Sequence, residues 1–153
     1  MKQVLWALLG VAVFIAGVGF LTQRLQNKKE ISVGSTKIQA EIASTESQRQ
    51  KGLGGRRTLG ENSGMLFVFD AKKDVFPSFW MKDMFISIDI IWINDGKVTK
   101  IDKNIEPPSA GTSDSQLKLY RPDSPIDYVL EVAAGFSDKN NIKTGDSVDL
   151  SAI

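Results

Sequence analysis

The 153-residue chain contains no cysteine and no histidine. Their absence excludes Cys/His zinc sites, thiol nucleophiles, disulfides, a Ser-His-Asp triad and imidazole acid-base chemistry together. Any reaction would fall to carboxylates, lysine, arginine, tyrosine or hydroxyl groups. A chain without thiols is also indifferent to an oxidising environment, which permits export without locating the protein. An excess of charge is missing too: 19 Lys and Arg face 18 Asp and Glu, for a net charge of +1. The cations are scattered among anions, no basic stripe forms, and nucleic acid is not an expected partner. The glycine-rich stretch "GLGGRRTLGENSG" lacks the G-x-x-x-x-G-K-[ST] pattern and the preceding strand of a phosphate cradle. It reads as backbone turns, with Arg56 or Arg57 available to an anion. "DGKVTKID" lacks calcium-loop spacing, and no metal or cofactor is expected.

One long hydrophobic run is present. Val4 to Leu21, "VLWALLGVAVFIAGVGFL", is apolar throughout and of roughly the length that spans a bilayer as a helix. It reads as a single membrane anchor after a tail of residues 1–3. A cleaved signal peptide is the alternative, but the apolar core is long for that role and no A-x-A site follows. Lys2 precedes the run, whereas Arg24, Lys28 and Lys29 follow it, a bias against keeping the short tail inside. The shortness of that tail nevertheless favours a signal anchor, with the globular part outside the cytoplasm.

The 42% hydrophobic, 24% charged composition is that of an ordinary globular domain. After a polar linker from Thr22 to Glu30, "ISVGSTKIQAEIAS" alternates about "GS" and predicts a β-hairpin. "STESQRQKGLGG" predicts a short helix, with Thr45 and Gln48 as a capping box and Gly52, Gly54 and Gly55 as stop signals. "GMLFVF" at 64–69 predicts a strand, followed by strands over 78–83 and 86–93 and a turn at "NDG" into "KVTKID". Residues 104–125 hold four of the five prolines and predict a long loop, with Leu117 to Tyr120 as the part that packs. "DYVLEVAAG" returns to strand, "FSDKNN" suggests a helical turn, and "KTGDSVDLS" ends on a short strand. The fold class is therefore α+β: a mostly antiparallel β-sheet able to curl into a barrel, one or two short helices, and one transmembrane helix ahead of it.

Two carboxyls stand out. In the strand over 86–93 both faces are largely apolar, so Asp89 falls in a central, buried position, and Glu131 shares its face with Val129 and Ala133. An ionised carboxylate there requires a cation or several donors. Lys82 would approach Asp89 if the strands over 78–83 and 86–93 form a hairpin, and Arg49 on the helix is a counter-ion for either acid. Three readings follow. The polar set is an internal brace, or a ligand pocket floored by Arg49, Lys82, Asp89 and Glu131 and walled by Phe79 and Trp80, or a solvated surface group. Two carboxyls beside an aromatic also resemble a glycosidase pair. Trp80 and Trp92 suit either a sugar ring or a core.

"TESQRQKGL", "RTL", "GMLFVF", "FWMKDMFISIDIIWINDGKV" and "YVLEVAAG" resemble the DUF192 (UPF0127) family of bacteria and archaea. The likeness covers residues 35–150, with 22–34 as linker and first strand. The family pattern falls on Arg49, Gly52, Leu53, Arg56, Leu59, Gly64–Phe67, Phe79–Lys82, Asp89, Leu130, Glu131, Gly135, Gly145 and Asp146. Gly54 and Ser87 depart from it, standing where the family usually has Met and Pro. The resemblance implies a compact β-rich domain, frequently exported or membrane-attached, with no established activity. The expected function is a membrane-anchored extracytoplasmic domain whose cluster of Arg49, Arg56, Phe79, Trp80, Lys82, Asp89 and Glu131 binds a small polar or carbohydrate ligand or an envelope polymer. The alternatives are a hydrolase or lyase using Asp89 and Glu131, and a structural or partner-docking domain.

Overall fold

The computed structural model describes residues 28–69 and 75–153. Strands β1 (Lys28–Val33) and β2 (Thr36–Ala43) form the expected hairpin, and Gly34 turns it with φ at 57°. The first strand begins at Lys28, inside the stretch expected to be linker. Helix α1 (Glu46–Lys51) starts on the Thr45 and Gln48 capping box, with both reciprocal bonds made. Strand β3 (Ser63–Val68) then runs parallel to β2. Strands β4 (Ile88–Asn94), β5 (Lys97–Ile105) and β6 (Tyr128–Ala133), the short helix α2 (Phe136–Lys139) and strand β7 (Val148–Asp149) complete the order.

Among the described residues seven strands join one sheet in the order β5-β4-β6-β3-β2-β1-β7, antiparallel except for β2 with β3. The sheet curls until its edges approach. β7 pairs with β1, while next to it Ser147 bridges Lys97 at the start of β5. Backbone bonds of 2.9 Å from Val98 to Asp146 and 2.8 Å from Val148 to Gly96 seal that corner. The expected β-rich, curled sheet with short helices is what the chain forms. Among the described residues no helix is long and apolar enough to cross a membrane, and the Val4 to Leu21 run lies outside them.

Each face of the sheet carries its own core. The concave face buries Ile38, Leu66, Ile91, Ile93, Leu130 and Val132 with Phe136 of α2. The convex face buries Phe67, Ile88, Ile90, Trp92 and Val129 under Leu53, Met81, Met84 and Ile126 from the connections. Strand β4 lies between β5 and β6 and is apolar on both faces because both are covered.

The expected strand over 78–83 does not form. Both edges of β4 are occupied, so no hairpin partner is open to it. Residues 76–81 do alternate in exposure, but they cross the convex face and bond to the long loop, through Phe79 and Tyr120 at 2.9 and 2.8 Å. Asp83, at φ 57°, and the bond from Met84 N to Met81 O then bend the chain back toward β4. Tyr120 packs against the convex core as expected for the ordered part of the loop.

Candidate functional site

Register decides where the two buried carboxyls go. Ile90 of β4 stands opposite Glu131 of β6, and Asp89 opposite Val132. Neighbouring positions on a strand face opposite sides of the sheet, so Asp89 lies on the concave face and Glu131 on the convex one. From opposite faces they cannot share a substrate, so the acid and base pair of the alternative hydrolase or lyase reading does not form.

Asp89 is 0% exposed, and among the described residues it meets no cation. Its Oδ1 accepts from Asn104 N at 2.8 Å and Gly135 N at 3.2 Å, and its Oδ2 accepts from Ser137 N at 2.9 Å. Three backbone donors thus replace the cation expected from Lys82, and the carboxylate ties β5 and the start of α2 to β4. Lys82 is instead at the surface, paired with Asp114 of the long loop. That pair holds the Lys82 ammonium charged to higher pH than usual, through its hydrogen bond first and the Asp114 charge second.

Glu131 sits in a row that crosses the sheet from Glu41 through Met65 and Glu131 to Ile90 and Asp102. Arg56, in the turn after α1, grips Glu41 bidentately at 2.6 and 2.8 Å. Arg56 also acts on Glu131 by charge alone. Burial dominates at Glu131, which is 5% exposed, and drives its pKa up to about 8, with the Arg56 guanidinium pulling the other way. Burial thus favours the neutral carboxylic acid at Glu131 well above the ordinary carboxylate range, and its Oε2 has no hydrogen-bond partner among the described residues.

Arg49 was expected to be a counter-ion and is held differently. Its Nη1 donates to the carbonyls of Ser44 at 2.5 Å and Val68 at 3.1 Å, and the guanidinium lies over the Phe69 ring at 5.3 Å. Carbonyls fix its direction without cancelling its charge. Phe79 meets Phe67, Phe69 and Trp92 edge-on, at centroid separations of 4.9, 6.4 and 5.4 Å. Edge contacts of this kind suit the ring quadrupoles and pin the crossing segment to the sheet. Trp80, the next residue, is 48% exposed. Trp92 is fully buried, with Nε1 donating to Asp102 at 2.7 Å, and belongs to the core.

These residues meet in a cleft of about 200 Å³, open to solvent, between α1 and the segment over 77–84. Arg49, Phe79, Trp80, Lys82 and Glu131 line it; Arg56 and Asp89 do not. The sequence reading missed Lys51, Phe67, Phe69 and Met84 in its wall. Phe67 and Phe69 were legible as alternate positions of "GMLFVF", but nothing local showed that α1 folds back over that face. Among the described residues no group of three or more acidic side chains is placed to hold a metal ion.

Comparison with known proteins extends this picture. A crystal structure of a protein of unknown function from Novosphingobium aromaticivorans DSM 12444 is similar, with 28% identity and a TM-score of 0.70 over 80% of this chain and 84% of that one. A protein of Sinorhizobium meliloti 1021, described as a candidate transcription regulator, aligns with 27% identity and a TM-score of 0.71, covering 82% of this chain and 95% of that one. No curated protein matches the sequence. The DUF192 model, described as "Uncharacterized ACR", matches residues 28–150. The chain therefore belongs to the DUF192 family.

Proposed function

We propose that this protein is a binding module, anchored in a membrane by Val4 to Leu21 with its domain outside the cytoplasm, and that the cleft takes a small polar ligand or one unit of an envelope polymer. The observation that carries the reading is Glu131: a buried acid whose Oε2 lacks a partner among the described residues lines an open cleft beside a fixed guanidinium and a half-exposed tryptophan. Buried polar atoms are normally satisfied, so an unpartnered carboxyl oxygen in the wall of a cleft suits a ligand. The cleft is smaller than the roughly 300–1,000 Å³ of sites for drug-sized molecules, which suits one sugar-sized unit. Trp80 offers the flat apolar face on which such a ring stacks. A nucleic-acid role, suggested by the description of the Sinorhizobium protein, has no support in a net charge of +1 without a basic stripe.

The test is a panel of neutral and acidic mono- and oligosaccharides titrated into the full chain, followed by tryptophan emission in the native protein and in Trp80→Phe. A binding module shows a saturable change that Trp80→Phe abolishes, and Arg49→Lys weakens it while leaving the amide spectrum of the strands in place. A saturable change that persists in Trp80→Phe, or unfolding by Arg49→Lys, would contradict the assignment.

A further inference from the structure

The cleft is not neutral ground. Arg49 stands without a counter-ion: the groups that orient it are carbonyl oxygens and an aromatic face, and among the described residues no carboxylate pairs with it. Nη1 is committed to those carbonyls, while among the described residues Nη2 and Nε make no hydrogen bond. A guanidinium presented this way matches the two oxygens of a carboxylate, which two parallel N–H bonds can hold. Glu131 lines the same cleft with a carboxyl whose buried Oε2 has no partner among the described residues. A protonated carboxyl can give one hydrogen bond and take another, the complement of a hydroxyl. Trp80 at the mouth adds a surface for the C–H face of a ring. One fixed guanidinium suits a single negative charge better than a phosphate dianion, since Lys82 is already paired with Asp114.

Resting on the binding role above, we propose that the cleft's ligand is a sugar acid of the uronate type, its carboxylate on the Arg49 fork, a hydroxyl on Glu131 and its ring against Trp80. The same arrangement makes uptake sensitive to pH. If the Glu131 carboxyl ionises, it repels the ligand carboxylate and can no longer donate a hydrogen bond, and its burial places that change at about pH 8. Other charged groups also face this region: Arg56 from the turn after α1, Glu41 behind it on β2, and Glu46, Arg49, Lys51 and Lys82 around the cleft. Glu131→Gln separates the Glu131 contribution from theirs, because the amide still donates but does not ionise.

The experiment titrates the full chain with glucuronate, glucose and glucose 6-phosphate at pH 6 and pH 9, reading Trp80 emission and the amide shifts of the α1 segment. Glucuronate binds at least tenfold more tightly than glucose at pH 6 and loses most of that preference at pH 9. Arg49→Lys keeps the charge but not the fork and reduces the preference at least fivefold, with an unchanged amide spectrum elsewhere showing that the fold persists. Glu131→Gln binds glucuronate equally at both pH values. Glucose binding as tightly as glucuronate would overturn the sugar-acid assignment while leaving the cleft a binding site. Glucose 6-phosphate binding more tightly than glucuronate would overturn it in the same way. A glucuronate affinity in Glu131→Gln that still falls between pH 6 and pH 9 would remove Glu131 from the contact.

Discussion

Asp89 on β4 and Glu131 on β6 are both buried carboxyls in apolar strands, and one step of register separates their roles. Asp89 is satisfied by the backbone N–H groups of Asn104, Gly135 and Ser137. Asp89→Ala strands all three donors in the core and is expected to cost about 3 kcal/mol or more, since hydrogen bonds to a charged group and orphaned buried donors are each worth on the order of 1–3 kcal/mol. Equilibrium urea unfolding measures it, and a loss below about 1 kcal/mol would mean the carboxylate is not the brace described. That both acids are buried was legible from the apolar residues around them. What neutralises them was not: two of the three Asp89 donors lie 46 and 48 residues away, in a turn whose amides any sequence could supply. Lys82 and Arg49 were the obvious cations, and each found a different partner.

Among the elements, α1 and β3 set the shape of the cleft. The capping box of α1 orients the turn that carries Arg49, and Thr45→Ala removes the side-chain acceptor of that box. The expected cost is about 1 kcal/mol of stability, with larger amide shifts in α1 than in the strands. Gly64 allows β3 to lie close to β6: a Cβ there would stand 2.6 Å from the Glu131 carbonyl oxygen and 3.1 Å from Leu130 Cδ1. The clash is with backbone, so Gly64→Ala is expected to destabilise by about 1–3 kcal/mol, as overpacking does. Unfolding curves indistinguishable from the native protein would show that the two strands are looser than described. The hairpin of β1 and β2 and the helix start at Thr45 were readable because short-range chemistry fixes them. The segment over 76–81 also shows a strand's alternation. Its hydrogen-bond partner, however, is the distant Tyr120 rather than the adjacent β4, and alternation alone cannot say who the partner is.

At the scale of the whole molecule, a curled sheet covered on both faces leaves a buried acid on its convex side, and folding stability should record it. Unfolded Glu131 titrates in the ordinary range near 4.5, whereas in the folded protein its pKa stands at about 8. Between those values the folded state holds a proton that the unfolded state has released, so stability falls as pH rises. Glu131 opposes folding least below pH 4.5, and its full penalty is reached once the pH passes about 8. The slope from this one group is on the order of 1.4 kcal/mol per pH unit within the window, and Glu131→Gln should flatten it. The β-rich class and the curl of the sheet could be anticipated from strand count and alternation. Closure of the corner by β7 could not, because it rests on two short segments far apart in sequence, around Gly96 and Ser147.

The most direct test of this account is the side-chain carboxyl carbon of Glu131, followed by NMR as a function of pH in the full-length protein without ligand. A midpoint at about 8 is the predicted result. A midpoint in the ordinary carboxylate range near 4.5 would mean that the floor of the cleft is an ionised, solvated glutamate, and would contradict both the neutral donor and the ligand built upon it.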